Sequence, residues 1–139
     1  MFRIKYVSKE DKPFWFKLDR HLAENEFELK IRDRRGYVIS DGDKPIGVMR
    51  YNLFWDIVPF LTLINFDKAY YGKGFGGQAV SHWENEMHGL GYDVVMTSTQ
   101  VDEQAQHFYR KLGYKEKGGL FLDNTPLEQP QEMFMVKVL

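Results

Sequence analysis

Alternating apolar and polar residues open the chain and predict a strand that leads directly into a helix. Residues 2–6 place Phe, Ile and Tyr at every second position, the period of a half-buried strand. Ser8 followed by Asp11 is typical of a capped helix start, and apolar residues with helical spacing continue through 14–22. The densely charged segment 24–35 predicts a short second helix.

The next segment has the pattern of a hairpin followed by a central strand. Residues 37–39 and 46–49 are apolar and flank Asp41-Gly42, a pair that favours a tight turn between antiparallel strands. The second arm of the hairpin is predicted to run on to Trp55. Residues 60–66 are apolar almost throughout, which predicts a strand buried on both faces.

From Gly74 onward the apolar residues recur every three or four positions, which predicts an amphipathic helix that stops near Gly89. The remaining elements are predicted in chain order as a strand from Val94, a helix over Ala105–Leu112 closed by Gly113, a strand at 119–122, a polar loop at 123–131 and a strand at 133–138. This order predicts a mixed α/β sheet flanked by helices. The last strand is apolar on both faces, so it either pairs across a two-fold axis in a homodimer or is covered within one subunit.

Composition narrows the class of protein. The 139 residues are 43% hydrophobic, which predicts one domain spanning 1–139. The formal net charge of −1 offers no field that would gather nucleic acid or an anionic membrane surface, and the chain shows neither a signal peptide nor a membrane span. Without cysteine there is no disulfide or thiol nucleophile, which fits the cytoplasm. The four histidines show no ligand spacing, so we expect no metal site.

Four glycines within residues 72–77 form the main chemical signal, because they lie between the predicted central strand and a helix. Glycines let successive amides approach an anion, and a helix N-terminus adds free donors, so a phosphate or diphosphate is the expected ligand. A P-loop is excluded, since Gly74 stands where Ser or Thr would bind magnesium. The Gly-x-Gly-x-x-Gly dinucleotide fingerprint is matched, with Asp93 about twenty residues on, which leaves NAD as an alternative ligand.

Two motifs lie about thirty residues apart in the middle of the chain. The first is Tyr71 with Gly74 and Gly76, and the second is Ala105 with the run Phe108-Tyr109-Arg110-Lys111-Leu112-Gly113-Tyr114. In this order they resemble the diphosphate loop and the second signature of the GNAT superfamily of N-acetyltransferases, with Tyr71 in place of the usual Arg or Gln. The resemblance implies a GNAT-like acyl-CoA N-acyltransferase fold, with a central mixed sheet of six to seven strands and about four helices, and acetyl-CoA as co-substrate.

The resemblance also implies roles for individual residues. Strands 60–66 and 94–99 would splay and admit the pantetheine arm of acetyl-CoA. A backbone amide near Leu63 or Ile64 would stabilise the oxyanion, and Tyr109 would be the general acid. The implied cofactor-binding residues are Ile64, Phe66, Tyr71, Gly72, Lys73, Gly74, Phe75, Gly76, Gly77, Asp102 and Phe108.

The acceptor and the general base stay open. Strand 60–66 carries no carboxylate, so Asp56, Asp67, Glu24 and Glu26 are the available bases, or the amine loses its proton before it binds. The predicted acceptor is a small-molecule or peptide amine, and acidic residues within 22–35 favour a cationic one. A non-catalytic acetyl-CoA-binding module is the alternative from another functional class.

Overall fold

Seven strands and four α-helices make up the computed structural model, which describes residues 1–139. In chain order they are β1 (Phe2–Tyr6), α1 (Lys12–Leu18), α2 (Glu24–Asp33), β2 (Gly36–Asp41), β3 (Lys44–Phe54), β4 (Val58–Phe66), α3 (Phe75–Gly89), β5 (Val94–Gln100), α4 (Ala105–Lys111), β6 (Lys115–Leu120) and β7 (Glu132–Val138). Short 3-10 turns lie at Lys9–Asp11 and Lys68–Tyr70. None of the helices has both the length and the apolar character needed to cross a bilayer.

The strands form one mixed sheet in the order β1-β2-β3-β4-β5-β7-β6. Neighbours β4 and β5 are parallel, whereas β1 with β2, β2 with β3, β5 with β7 and β6 with β7 are antiparallel. The predicted hairpin and the predicted mixed sheet are therefore confirmed. Strand β7 is hydrogen-bonded on both sides, to β5 and to β6, so it is covered within one subunit and has no free edge for pairing in a homodimer.

The chain falls into two compact units, of which the first comprises 1–52 and 62–83. Successive side chains of its strands point to opposite faces of the sheet, and both faces carry buried side chains. On one face Val38 packs in a cluster with Trp15 and Phe27 from α1 and α2. On the other face the ring of Tyr51 lies 5.8 Å from that of Trp83 on α3. The single-domain expectation stays a prediction.

The second unit comprises 53–61 and 84–139. In β7 the buried side chains, which include Met135, alternate with half-buried ones, whereas in β5 the consecutive residues Val95, Met96 and Thr97 are all buried. Among the half-buried residues is Phe134, whose ring centre lies 6.2 Å from that of Phe60. This alternation is the period-2 pattern of a sheet with two different faces.

Helix α1 begins where the sequence predicts but ends before Leu22. Ser8 and Asp11 form the predicted capping box around the 3-10 turn that leads into α1. At Asp19 the backbone leaves the helix, with φ −128° and ψ 78°. The buried carboxylate of Asp19 accepts hydrogen bonds from Trp15 Nε1 at 3.1 Å and from Arg50 Nε at 2.8 Å. This tertiary pairing ends the helix at Leu18.

Strand β4 is less buried than the sequence predicts, because within residues 60–66 only Leu61 is buried. Pro59 and Leu61 are buried, whereas Thr62 is exposed and residues 63–66 are half-buried. The ring of Phe66 lies against Gly47 of β3, and a Cβ at position 47 would stand 2.4 Å from its Cδ1 atom. The end of β4 is therefore seated on a position that only glycine can fill without displacing Phe66.

Replacing Arg50 by Met is expected to destabilise the fold by about 3 kcal/mol, because the Asp19 carboxylate would remain buried without its cation. Asp19 is 3% exposed and Arg50 18% exposed in this ion pair. Arg3→Met is the matched control, since Arg3 pairs with Asp43 on the surface, where ion pairs contribute little. Urea unfolding of both variants measures the difference. Equal losses would contradict the buried role of the Asp19–Arg50 pair.

Candidate functional site

The glycine-rich segment forms an exposed loop that runs into the first turn of α3. Gly72 and Gly74 have φ values of +74° and +87°, a left-handed conformation that side chains other than glycine rarely adopt. A Cβ at either position would meet no atom within 4 Å, so the loop faces open space. The α3 helix begins immediately afterwards, at Phe75. The backbone is thus shaped for close approach by a ligand.

The amides of this loop are free of internal hydrogen bonds. The Tyr71 amide donates to the Lys68 carbonyl and the Gln78 amide donates to the Gly74 carbonyl, both at 3.2 Å. Between them, no amide from Gly72 to Gly77 donates to an acceptor within the protein. Free amides at a helix N-terminus combine with the positive end of the helix dipole. The loop therefore fits a phosphate or diphosphate group.

Aromatic and basic side chains flank the loop. The ring of Tyr70 lies below two ammonium groups, with Lys73 Nζ at 5.6 Å and Lys44 Nζ at 5.4 Å from the ring centre. Tyr71 is 58% exposed, and its hydroxyl donates to Asn65 Oδ1 at 3.3 Å. Tyr71 thus supplies no cation, while Lys44 and Lys73 add positive charge to a site suited to an anion.

Strand β4 carries the other predicted cofactor residues of the first unit. Ile64 and Phe66 lie in its half-buried second part. The parallel pairing of β4 with β5 consists of two residue pairs, Phe60 with Met96 and Leu61 with Thr97. The register therefore ends at Leu61, before the residues that the sequence analysis assigns to cofactor binding.

Tyr109 lies on α4 in the second unit and is 6% exposed. Burial raises the pKa of its hydroxyl, and a hydrogen bond with the Thr97 side chain opposes that shift. Thr97 Oγ1 donates to the Leu61 carbonyl at 2.9 Å, in the last residue pair of the β4–β5 register. The Tyr109 hydroxyl is therefore held, protonated at neutral pH, beside the end of that register.

Thr97 is a candidate functional residue that the sequence analysis missed. It is 2% exposed and lies on the same side of β5 as the buried Val95 and Thr99. The sequence shows Thr97 only as the first of four consecutive polar residues after the apolar run Val94–Met96, so its burial could not be read from the pattern. A buried hydroxyl needs hydrogen-bond partners. The side chain of Thr97 meets that need with Leu61 and Tyr109.

A second buried tyrosine, Tyr114, packs against Tyr109. The ring centres of Tyr109 and Tyr114 lie 5.5 Å apart. The Tyr114 hydroxyl donates to Glu84 Oε2 at 2.7 Å, and Lys137 Nζ donates to Glu84 Oε1 at 2.9 Å. Burial and the Glu84 carboxylate both raise the pKa of Tyr114. The Tyr114 hydroxyl is therefore bound to a carboxylate, whereas the Tyr109 hydroxyl is bound to the Thr97 side chain.

Two further predicted residues lie in the second unit. Asp102 is exposed in the turn after β5, and no side chain holds it in place. Phe108 is half-buried on α4, with its ring centre 5.1 Å from that of Tyr109. Asp102, Phe108 and Tyr109 thus occupy one stretch of the second unit, while the predicted residues of β4 and the glycine loop belong to the first.

The sequence of this chain matches a known family along most of its length. The matching profile, described as the acetyltransferase (GNAT) family, covers residues 4–114. The chain belongs to the GNAT acetyltransferase family. No curated protein sequence matches this GNAT acetyltransferase.

Solved structures agree with this GNAT assignment at the level of the fold. The ribosomal-protein-S18-alanine N-acetyltransferase of Escherichia coli is 18% identical, with a TM-score of 0.81, over 99% of this chain and 94% of that one. Arabidopsis thaliana Naa50, in complex with the bisubstrate analogue CoA-Ac-MVNAL, is 13% identical, with a TM-score of 0.81 over 99% of both chains. A Bacillus subtilis acetyltransferase in complex with CoA is 16% identical, with a TM-score of 0.80 over 100% and 99%. The predicted family and fold are confirmed.

The carboxylates that the sequence offers as general bases of this GNAT acetyltransferase are engaged or exposed. Glu24 lies 3.2 Å from Lys12 Nζ, and Glu26 lies 3.8 Å from Lys30 Nζ. Asp67 accepts a hydrogen bond from the Ala69 amide and caps its own 3-10 turn. Asp56 is exposed in the turn between β3 and β4. None of these side chains is arranged as a buried, poised base.

Proposed function

We propose that this protein is an N-acetyltransferase that transfers the acetyl group of acetyl-CoA to a primary amine by direct attack. The observation that carries the proposal is the set of free amides in Gly72–Gly77, which includes two left-handed glycines and leads into α3. Such a set suits a diphosphate, the group that links the two halves of coenzyme A. The CoA ligands in the Bacillus and Arabidopsis relatives support this cofactor.

Different residues are proposed to bind different parts of the cofactor. In this proposal the loop amides bind the diphosphate, with Tyr71, Lys73 and Phe75 around them. The backbone of Ile64 and Phe66 pairs with the pantetheine amides as an added strand would. Phe108 packs beside that arm, and Asp102 accepts a hydrogen bond from it. Bound acetyl-CoA supplies an acetyl group activated as a thioester.

Tyr109 is the proposed general acid, which gives its proton to the departing sulfur. The nitrogen of the attacking amine loses a proton as the amide forms, and this proton restores the Tyr109 phenol through solvent. Its raised pKa keeps the phenol protonated at neutral pH, the state that a proton donor requires. A backbone amide near Leu63 or Ile64 stabilises the oxygen on which negative charge develops. Because the chain contains no cysteine, the enzyme forms no thioester of its own, and the amine attacks directly.

The amine is proposed to reach the site already deprotonated. Strand β4 carries no carboxylate, and Glu24, Glu26 and Asp67 are held by partners of their own. A primary amine loses its proton more readily as the pH rises, so this proposal needs no side chain for that step. The acceptor is a small-molecule or peptide amine, and the peptide-like part of the Naa50 ligand, CoA-Ac-MVNAL, is consistent with the second possibility.

Coenzyme A is expected to stabilise the protein against thermal unfolding, whereas NAD is not. A ligand at one hundred times its dissociation constant adds about 2.7 kcal/mol of stability. The glycines at 72–77 are compatible with either CoA or NAD as the ligand. A thermal-shift comparison of CoA, acetyl-CoA and NAD decides between the two. Stabilisation by NAD alone would reverse the assignment of the cofactor.

A further inference from the structure

A cleft of about 490 Å³ lies in the first unit, between the end of α1 and the end of β4. Its apolar surface comes from Leu18, Leu63 and Phe66. Tyr71, the residue immediately before the glycine loop, also lines it. Because Phe66 and Tyr71 are both proposed to contact the cofactor, the cleft adjoins the proposed cofactor site and shares these two residues with it. Its volume suits a small molecule or the end of a peptide.

The cleft is rich in cations that have no partner. Lys17, Arg20 and Lys68 line it, and all three are exposed. None of them has a carboxylate within 4.0 Å. By contrast, the nearby lysines Lys12 and Lys30 are each paired with a glutamate. Unpaired cations around an apolar floor attract an anionic group, because charges of one sign beside low-dielectric walls focus the electric field in the cleft.

The carboxylates of the cleft do not balance this charge. Asp19 is buried, and its oxygens accept hydrogen bonds from Arg50 and Trp15. Asp67 caps its own 3-10 turn. The acidic residues of α2, which the sequence analysis connected with a cationic amine, include Glu24 and Glu26, both ion-paired within the chain. Asp67 is thus the one lining carboxylate without a cation partner, and it faces the three positive charges of Lys17, Arg20 and Lys68.

We propose that this cleft binds the amine acceptor and that the acceptor carries an anionic group, a carboxylate or a phosphate. The inference rests on the proposed acetyl transfer. Arg20 supplies a planar guanidinium that can donate two parallel hydrogen bonds to such a group, and Lys17 and Lys68 add charge. The phosphates of coenzyme A are the other source of negative charge, but the loop amides of Gly72–Gly77 already suit them.

The test is a CoA-release assay on the full chain with matched amine pairs. The pairs are γ-aminobutyrate with butylamine, phosphoethanolamine with ethanolamine, and glycine with glycinamide, and spermidine represents cationic amines. We expect the anionic member of a pair to react with a kcat/KM at least about tenfold higher. In Arg20→Gln the KM for that amine is expected to rise about tenfold or more, with the KM for acetyl-CoA unchanged.

Arg32→Gln is the matched control, because Arg32 is exposed on α2, outside the cleft, and should leave both KM values unchanged. Equal or better use of neutral amines or spermidine would overturn the proposal. A rise in the KM for acetyl-CoA alone in Arg20→Gln would assign the cations to the cofactor and overturn it as well. CoA release with none of the anionic amines, while CoA still stabilises the chain, also rejects it. Failure of the acetyltransferase proposal is distinguished by the absence of stabilisation by CoA.

Discussion

Tyr109→Phe is expected to reduce CoA release by about a hundred- to ten-thousand-fold, the usual contribution of a positioned general acid. The affinity for CoA should stay the same, because the ring and its packing against Phe108 and Tyr114 are kept. The measurement pairs steady-state kinetics with a CoA-binding titration. A fall in kcat with unchanged CoA affinity identifies an enzyme. In a non-catalytic acetyl-CoA-binding module, the variant would change neither the rate of CoA release nor the affinity for CoA.

Tyr114→Phe is the control for loss of a buried phenol in the same cluster. Its hydroxyl donates to Glu84, so removing it leaves a partly buried carboxylate with one fewer donor and should lower stability. Turnover of the folded variant should stay within about threefold of the parent, since Tyr114 has no role in proton transfer. If both tyrosine variants lost activity equally, packing rather than acid catalysis would explain Tyr109.

Gly74→Ala is expected to weaken CoA binding by about ten- to a hundred-fold. Alanine at a φ of +87° is strained, so the backbone at position 74 would shift and the loop amides would turn away from their present directions. The loop would then lose one or more charge-assisted hydrogen bonds to the diphosphate, each contributing about 1.5–3 kcal/mol. Isothermal titration with CoA measures the change, and the KM for acetyl-CoA should rise in parallel.

Gly91→Ala controls for the strain alone. Gly91 follows the C-terminal end of the same helix, with a φ of +96° and open space around its Cβ position. Both variants should lose a similar amount of stability, about 1 kcal/mol. Only the Gly74 variant should lose affinity for CoA. Undiminished binding in Gly74→Ala would remove the loop from the cofactor site.

The parts of the fold with strong local signals were predictable from the sequence. The Asp-Gly hairpin, the glycine-rich start of α3 and the Ala105–Lys111 helix with Gly113 behind it depend on backbone preferences of nearby residues. The positions of these elements are confirmed. The roles assigned to the glycine loop and to Tyr109 stay predictions, because they depend on a ligand.

Elements that depend on distant partners were placed less well. The sequence predicts a strand at 119–122, but β6 runs over Lys115–Leu120, because its register with β7 ends where Leu120 pairs with Glu132. Its polar, fully exposed residues carry little apolar pattern. The apolar Phe121 follows the strand and is 68% exposed. Pairing, rather than hydrophobicity, determines where this strand lies.

The same reason explains what was missed around the candidate site. The pairing of Asp19 with Arg50 joins residues 31 positions apart, and the contact of Thr97 with Leu61 joins residues 36 apart. Neither pair follows from local periodicity, because each forms only when the sheet and helices are assembled. The cationic cleft likewise combines the end of α1 with the end of β4.

Gly47 limits how this protein can be redesigned. The ring of Phe66 occupies the volume in which any other residue at position 47 would place its first side-chain carbon. A library intended to widen the range of amines should therefore hold position 47 constant and vary the rim at Lys17, Arg20 and Lys68. Substitution at 47 would displace the strand end that the proposed cofactor contacts, so a change in acceptor preference would be confounded with a loss of coenzyme.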